Sequence, residues 1–138
     1  MGRLRGAGRG WINLAPEVPD EEEVPMPGLF SVLSARGPAV PLCTWVGPHE
    51  KRGQPRPAQL GIQHSTGTRT AARLEGLGRG VPAGWRVTQD HPRRGLVVQV
   101  APDASDQVVL GWLLDAGQSL CPVETTGAWI ADVFDDTA

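Results

Sequence analysis

The chain has 138 residues, the size of one ordinary domain, and its 40% hydrophobic and 20% charged residues exclude a largely disordered protein. Its net charge of −2 hides a strong segregation along the chain. Residues 28–100 carry ten Lys/Arg against three Asp/Glu, whereas residues 101–138 carry seven acidic residues and no basic one. The cationic middle of the chain is therefore the first indication of what the protein binds.

Nothing in the sequence predicts membrane insertion or secretion. The longest apolar run, Val108–Leu114, is far shorter than the roughly 20 residues that a membrane-spanning helix requires. The N-terminal segment MGRLRGAGRG has arginines but no apolar core, so it is not a secretory signal. Gly6 stands where a myristoylation motif has Ser or Thr. We expect a soluble, cytoplasmic protein with no membrane partner.

Cysteine usage and the arginine bias say little about chemistry. Twelve arginines against the single Lys51 indicate a GC-rich coding sequence and favour a bacterial origin. Cys43 and Cys121 are far apart, and no pair of histidines lies near enough to complete a zinc site. We expect reduced, half-buried thiols and neither a metal nor another cofactor, while the sequence leaves open whether the two cysteines pair.

The first 28 residues are predicted to form an arm and a linker, followed by a single α+β domain over residues 29–138. Trp11–Leu14 suits a short strand. The acidic run Asp20–Glu23 then lies among four prolines: Pro16, Pro19, Pro25 and Pro27. Because proline breaks helices and adjacent carboxylates repel, this stretch should be extended and solvated. The alternative is an acidic strap that shields the cationic middle.

Leu29–Val46 suits either a short helix followed by a strand or a hairpin that turns near residue 37. We favour the hairpin, because β-branched and aromatic residues alternate along the returning strand Val40–Val46. Pro41 has no N–H to donate, so that strand should lie at a sheet edge. The next segment, Gly47–Pro57, is rich in Gly, Pro and charge, which predicts an exposed and flexible loop.

From Ala58 onward the pattern predicts alternating strands and helices, with the longer helix carrying one apolar stripe. The predicted elements are strand Gln59–His64, helix Thr66–Gly76, strands Trp85–Asp90 and Gly95–Val100, a helix from Asp103 to about Leu120, and strand Ala128–Phe134. This order is that of the ferredoxin-like split βαβ fold, with two helices on one face of an antiparallel sheet. We therefore predict an α+β protein, ferredoxin-like from about residue 58, with an N-terminal β extension.

The first candidate site lies where the first of these strands leads into a helix. Unpaired N–H groups and the helix dipole attract anions at such a junction. The side chains expected to contact the anion are His64, Ser65, Thr66, Thr68 and Arg69. The spacing does not match a P-loop. Ordinary capping of the helix by one of the three hydroxyl residues is the alternative interpretation.

The second candidate site is the predicted hairpin tip Asp90–Gly95. Asp90 beside His91 is suited to orient an imidazole and raise its basicity. The adjacent Arg93 and Arg94 are suited to bind a phosphate. The alternative is an ordinary polar turn in which Pro92 fixes one backbone dihedral and the flanking polar groups satisfy the backbone.

An enzymatic function is not favoured, but one sequence pattern is typical of a class of enzymes. His64-Ser65-Thr66 matches half of the paired H-x-[ST] pattern of two-histidine phosphoesterases, whereas Arg93 stands where the half beginning at His91 needs Ser or Thr. No G-x-S-x-G nucleophile motif occurs. Hydrolysis or transfer of a phosphate ester by His64 and His91 therefore requires that the two histidines face one shared pocket.

Nucleic-acid binding is also possible on charge alone, and it too is not favoured. Proteins of this predicted fold that bind RNA stack bases on aromatic side chains of the open sheet face. The side chains expected on that face are Gln59, Gln63, Arg86, Thr88, Val97 and Gln99. The central strands thus place no aromatic residue there. Only electrostatic contact with the nucleic-acid backbone remains.

Five tryptophans stand out in a chain without tyrosine. Trp85, Trp112 and Trp129 are expected to pack in the core. Trp11 and Trp45 should either cover the open sheet face or form an exposed surface for a partner. The sequence as a whole predicts a non-enzymatic binding or regulatory module that recognises an anionic ligand or a protein partner, in an oligomeric state that it leaves open.

Overall fold

The computed structural model describes residues 10–19 and 40–134. These ranges contain eight strands and two helices, which we number in chain order. They are β1 (Trp11–Pro16), β2 (Leu42–Val46), β3 (His49–Lys51), β4 (Gln54–Arg56), β5 (Gln59–Gln63), α1 (Thr70–Gly76), β6 (Arg86–His91), β7 (Gly95–Gln99), α2 (Asp106–Ser119) and β8 (Trp129–Phe134). Within them, no helix is long and apolar enough to cross a membrane.

Six of the strands form one sheet in the order β6-β7-β5-β2-β1-β8, and every neighbouring pair is antiparallel. The other two, β3 and β4, form a separate hairpin. β2 is an interior strand, paired with β1 on one side and β5 on the other, so its predicted place at a sheet edge is wrong. Pro41 does not prevent this, because β2 begins at Leu42 and the missing N–H falls outside the ladder.

The ferredoxin-like prediction is wrong. In that fold the last strand would pair directly with β5, but β2 and β1 stand between β5 and β8. The molecule is instead mostly a six-stranded antiparallel sheet with two helices. The physical reason lies in β2, whose alternating side chains Cys43 and Trp45 are fully buried and extend the core beside β5. Residues treated as an extension are thus part of the central layer.

The core lies on one face of the sheet, beneath both helices. Successive residues of a strand face opposite sides of the sheet, so Cys43 and Trp45 share one face. The register sets Trp45 beside Leu60 and Cys43 beside Ile62, all of them buried. The helices add buried side chains to the same cluster: Leu74 from α1, and Val109, Trp112, Leu113 and Ala116 from α2.

Several boundaries differ from the predicted ones for local reasons. α2 begins at Asp106, because the hydroxyl of Ser105 rather than the carboxylate of Asp103 accepts from the N–H of Val108. The predicted loop over residues 47–57 contains the β3–β4 hairpin. Its turn residues Arg52 and Gly53 have φ of 53° and 74°, as two-residue hairpin turns require.

Two predicted segments cannot be compared with the structure, and a third belongs to the main sheet. The acidic run Asp20–Glu23 and the first half of the predicted hairpin, residues 29–39, lie outside the described residues. Trp11–Pro16, placed in the N-terminal arm by the sequence, is a strand of the main sheet. Its partner β8 supplies six paired residues, from Trp129 to Phe134.

Candidate functional site

The two segments singled out in the sequence meet at one end of the sheet. β5 and β6 both run antiparallel to β7, which lies between them, so their carboxyl ends lie at the same end. β5 leads there into residues 64–69, and β6 leads into the turn after His91. Asp90 links the two segments, because its carboxylate accepts hydrogen bonds from the first residues of α1.

Asp90 occupies the position where an external anion was expected. One of its carboxylate oxygens accepts from the N–H of Thr70 at 3.1 Å, and the other accepts from the N–H of Ala71 at 3.0 Å. A negative charge at this position complements the helix dipole. The N-cap residue, Arg69, makes no side-chain cap. Capping by Ser65, Thr66 or Thr68 is therefore not observed, and these two N–H groups are already bonded.

His64 is fully buried and holds the turn that precedes α1. Its Nδ1 accepts from the N–H of Thr66 at 3.2 Å and lies 2.8 Å from the hydroxyl of the same residue. Because Nδ1 accepts, the proton of the neutral ring is assigned to Nε2, which donates to the hydroxyl of Thr70 at 3.0 Å. Burial lowers the pKa of His64, against the opposing effect of Asp90 and with a smaller contribution from Arg73. The ring is a neutral structural group.

His91 plays a corresponding role in the second segment. Its Nδ1 accepts from the N–H of Arg93 at 3.1 Å and from the N–H of Arg94 at 3.0 Å. Each histidine thus accepts from the backbone N–H two residues further along the chain. No hydrogen bond joins Asp90 to the imidazole of His91, so Asp90 does not orient that ring as predicted, and its carboxylate binds the start of α1 instead.

The arginines of the two segments lie at the surface of the protein. Arg69, Arg93 and Arg94 are exposed, and so is Thr68, whereas Ser65 and Thr66 are half-buried. Arg69 has φ of 58° and ψ of 42°, a left-handed conformation that is uncommon outside glycine. Its side chain makes no hydrogen bond to any residue that the structure describes. We call Arg69, Arg93 and Arg94 the arginine corner.

The geometry does not support paired histidine catalysis. Both ring nitrogens of His64 are bonded inside the protein, and no part of the ring reaches solvent. An open cavity of about 120 Å³ lies instead near the opposite end of β5, with an apolar lining: Pro48, Pro57, Ala58, Val100, Ala101 and Pro102. Neither histidine contributes to this cavity. In residues 10–19 and 40–134, no group of three or more His, Cys, Asp or Glu is placed to hold a metal ion.

The tryptophans divide between core and surface. Trp45 is fully buried, and Trp112 is nearly so, with Nε1 donating to the carbonyls of Arg79 and Gly80. Trp11 is 38% exposed and stacks on Phe134 at a centroid distance of 4.9 Å. The register places Trp11 on the face opposite the helices, at the far side of the sheet from the arginine corner. The two exposed features are therefore separate surfaces.

Comparison of this chain with protein-family models, with curated proteins and with solved structures finds no match. The residues and their geometry are the basis for assigning a function. The sequence analysis missed Thr70, which joins His64 to the start of α1. It named Asp90 but gave it another role, since Asp90 caps a helix that begins 19 or 20 residues earlier in the chain. No local pattern signals such a long-range cap.

Proposed function

We propose that the protein is a non-enzymatic binding module that recognises an anionic ligand through the arginine corner. Arg69, Arg93 and Arg94 supply the charge, and the hydroxyls of Ser65, Thr66 and Thr68 lie in the adjoining turn. His64 and His91 support the two turns rather than contact the ligand. The ligand class is a phosphate or carboxylate compound, bound by guanidinium groups.

The conformation of Arg69 carries this proposal. A left-handed backbone costs a residue other than glycine about 1–2 kcal/mol. The carbonyl of Arg69 accepts from the N–H of Arg73, but its exposed side chain makes no hydrogen bond with another described residue that would offset this cost. Strained residues of this kind are concentrated at functional sites. The strain therefore supports a role for the guanidinium in binding rather than in folding.

The histidine-held turns support the same role by restricting motion. Hydrogen bonds from the backbone to His64 and His91 fix the turns that carry the arginines. Binding to a fixed turn costs less conformational entropy than binding that must first order a flexible loop. The N–H groups of Thr66, Thr70, Ala71, Arg93 and Arg94 are bonded inside the protein. Binding through the arginine side chains should weaken as salt increases.

The experiment replaces Arg69 by glycine, which keeps the left-handed turn and removes only the side chain. Pyrophosphate and citrate should raise the melting temperature of the wild-type protein, since a ligand that binds the folded state stabilises it. Arg69→Gly should abolish this shift while making the unliganded protein up to about 1 kcal/mol more stable. Differential scanning calorimetry measures both quantities.

Arg52→Gly is the matched control. Arg52 is also exposed and left-handed, with φ of 53°, but it lies in the turn of the separate β3–β4 hairpin, outside both candidate segments. This variant should keep the full ligand-induced shift. If Arg69→Gly and Arg52→Gly respond equally to pyrophosphate and citrate, the arginine corner is not the binding site.

The cytoplasm is the compartment that we propose for this function. Cys43 and Cys121 are both free thiols, and burial raises the pKa of Cys43 to about 12. Unpaired cysteines are usual in reducing compartments, where disulfides are rare. This supports the cytoplasmic expectation from the sequence without identifying the ligand.

A further inference from the structure

The edge strand β8 presents features of an interaction surface. Among the described residues it pairs only with β1, so the backbone groups along its other side have no strand partner there. Its large apolar side chains are also exposed: Ile130 by 53%, Val133 by 63% and Phe134 by 40%. A regular, apolar edge strand is a template for a further strand.

The opposite edge of the sheet lacks these features. β6 is interrupted by a register shift between Val87 and Gln89, and it carries the charged residue Arg86. Bulges and cationic side chains are the means by which edge strands avoid pairing with other chains. β8 contains no Lys, Arg or Pro and matches β1 over six consecutive residues without a bulge. Of the two edges, β8 is the one suited to strand addition.

We propose that β8 pairs antiparallel with β8 of a second copy of this chain about a two-fold axis, joining two six-stranded sheets into one. A two-fold axis perpendicular to the sheet brings the same edge of each copy together and makes every pair of contacts twice. This inference concerns a surface separate from the arginine corner and does not depend on ligand binding there.

The sequence of β8 allows it to pair with β8 of a second copy in a register that uses the whole strand. With Ala131 at the axis, residues 128–134 of each strand all find an opposite residue. Val133 of one copy then lies opposite Trp129 of the other on the helix-bearing face. On the other face, Phe134 lies diagonal to Ile130 of the second copy, within reach of an aromatic side chain. Val133 and Phe134 thereby gain apolar neighbours from the second copy.

The single charge of β8 favours the same register. Asp132 at the axis would set two carboxylates directly opposite each other, which is destabilising. With Ala131 at the axis, Asp132 instead lies opposite Ile130 of the second copy, and the two carboxylates are diagonal neighbours about 7–8 Å apart. Some repulsion remains across that distance, so we expect Asp132→Asn to strengthen the dimer.

The test is sedimentation velocity of the whole chain from about 1 µM to about 1 mM, a range that covers weak dimers. The wild-type protein should change from monomer to dimer across this range. Val133→Lys places a charge on β8 and should leave a monomer throughout. Val87→Lys is the matched control, because Val87 is 37% exposed on the other edge strand, and it should dimerise like the wild type. Circular dichroism verifies that both variants are folded.

Two further measurements keep the proposal testable if Val133→Lys fails to fold. Asp132→Asn should lower the dissociation constant of the dimer by several-fold. A synthetic peptide with the sequence of residues 128–134 should dissociate the wild-type dimer, because it occupies the same edge. A wild-type chain that stays monomeric at every concentration overturns the proposal. So does a folded Val133→Lys variant that dimerises as well as the wild type, or a dimer unaffected by both Asp132→Asn and the peptide.

Discussion

At the level of single residues, His64 and Asp90 determine how the two candidate segments are held together. His64 is buried and neutral between two threonines, and Asp90, in β6, accepts hydrogen bonds from the start of α1. A protonated His64 would carry a charge inside the protein, and its Nδ1 would no longer accept from the N–H of Thr66. The protonation state of one ring is thus coupled to the shape of the arginine-bearing turn.

We predict that the free energy of unfolding decreases as the pH falls below about 6.5, the ordinary pKa of histidine. Burial lowers the pKa of His64 in the folded state, so the unfolded chain takes up the proton first and gains stability relative to the folded one. The slope due to this residue is at most about 1.4 kcal/mol per pH unit. Urea unfolding at several pH values between about 7.5 and about 5 measures it.

His64→Gln provides the comparison, because glutamine is polar but does not titrate in this range. The variant should be less stable than the wild type at neutral pH and should lose the part of the pH dependence that His64 contributes. An NMR titration of the imidazole gives an independent measurement. A folded-state pKa at or above about 6.5 would contradict the expected sign.

At the level of secondary-structure elements, α2 packs closely against the sheet at Gly117. Gly117 belongs to the buried side of α2, and a β-carbon built there would lie 2.6 Å from Sγ of Cys43 and 3.1 Å from the ring of Trp129. A glycine within a helix lowers its stability. Here it lets the helix approach β2 and β8 more closely than any larger residue would allow.

We predict opposite effects for the two glycines of α2. Gly117→Ala should destabilise the protein by about 1–2 kcal/mol, because overpacking exceeds the gain in helix propensity. Gly111→Ala should stabilise it by about 1 kcal/mol, since nothing lies within 4 Å of the added methyl group. Thermal unfolding of the two variants measures the difference. A Gly117→Ala variant as stable as Gly111→Ala would show that the helix can move away from Cys43 at little cost.

Much of the secondary structure was predictable from local patterns, and each of the two exceptions has a specific cause. β5, β6, β7 and β8 were found within about a residue at most ends, because their alternation and their flanking turns are visible in the sequence. α1 begins four residues later than predicted, at Thr70, because the helix is capped by Asp90 rather than by Thr66. The sequence predicts a loop in place of the hairpin turn at Arg52-Gly53, since arginine is not a usual residue for a left-handed position.

At the level of the whole molecule, the order of strands was not predictable from these elements. Local patterns identify a strand but not its neighbour, and β1 finds its partner β8 more than a hundred residues away. The candidate site was predictable only in part for the same reason. The sequence located the arginines, but the contact between Asp90 and α1 depends on the sheet order that places β6 beside β7 and β5.

We predict that β1 is required for cooperative folding. It lies between β2 and β8, and it buries Leu14 and Pro16. A chain that begins at Glu17 should therefore unfold over a broad range of urea, because the sheet loses a strand and β8 loses its only partner among the described residues. Adding a synthetic peptide of residues 10–19 should restore a sharp transition, as monitored by circular dichroism. A truncated chain that unfolds as sharply as the full-length protein would contradict this.

The stack of Trp11 on Phe134 brings the first and the last of the described strands together. These two residues are opposite one another in the register of β1 and β8, with ring centroids 4.9 Å apart. A short loop from Phe134 to Trp11 would turn the two strands into an ordinary hairpin, and the exposed Arg52-Gly53 turn offers a place to open the chain elsewhere. We therefore expect a protein that is circularly permuted in this way to retain every strand pair of the six-stranded sheet.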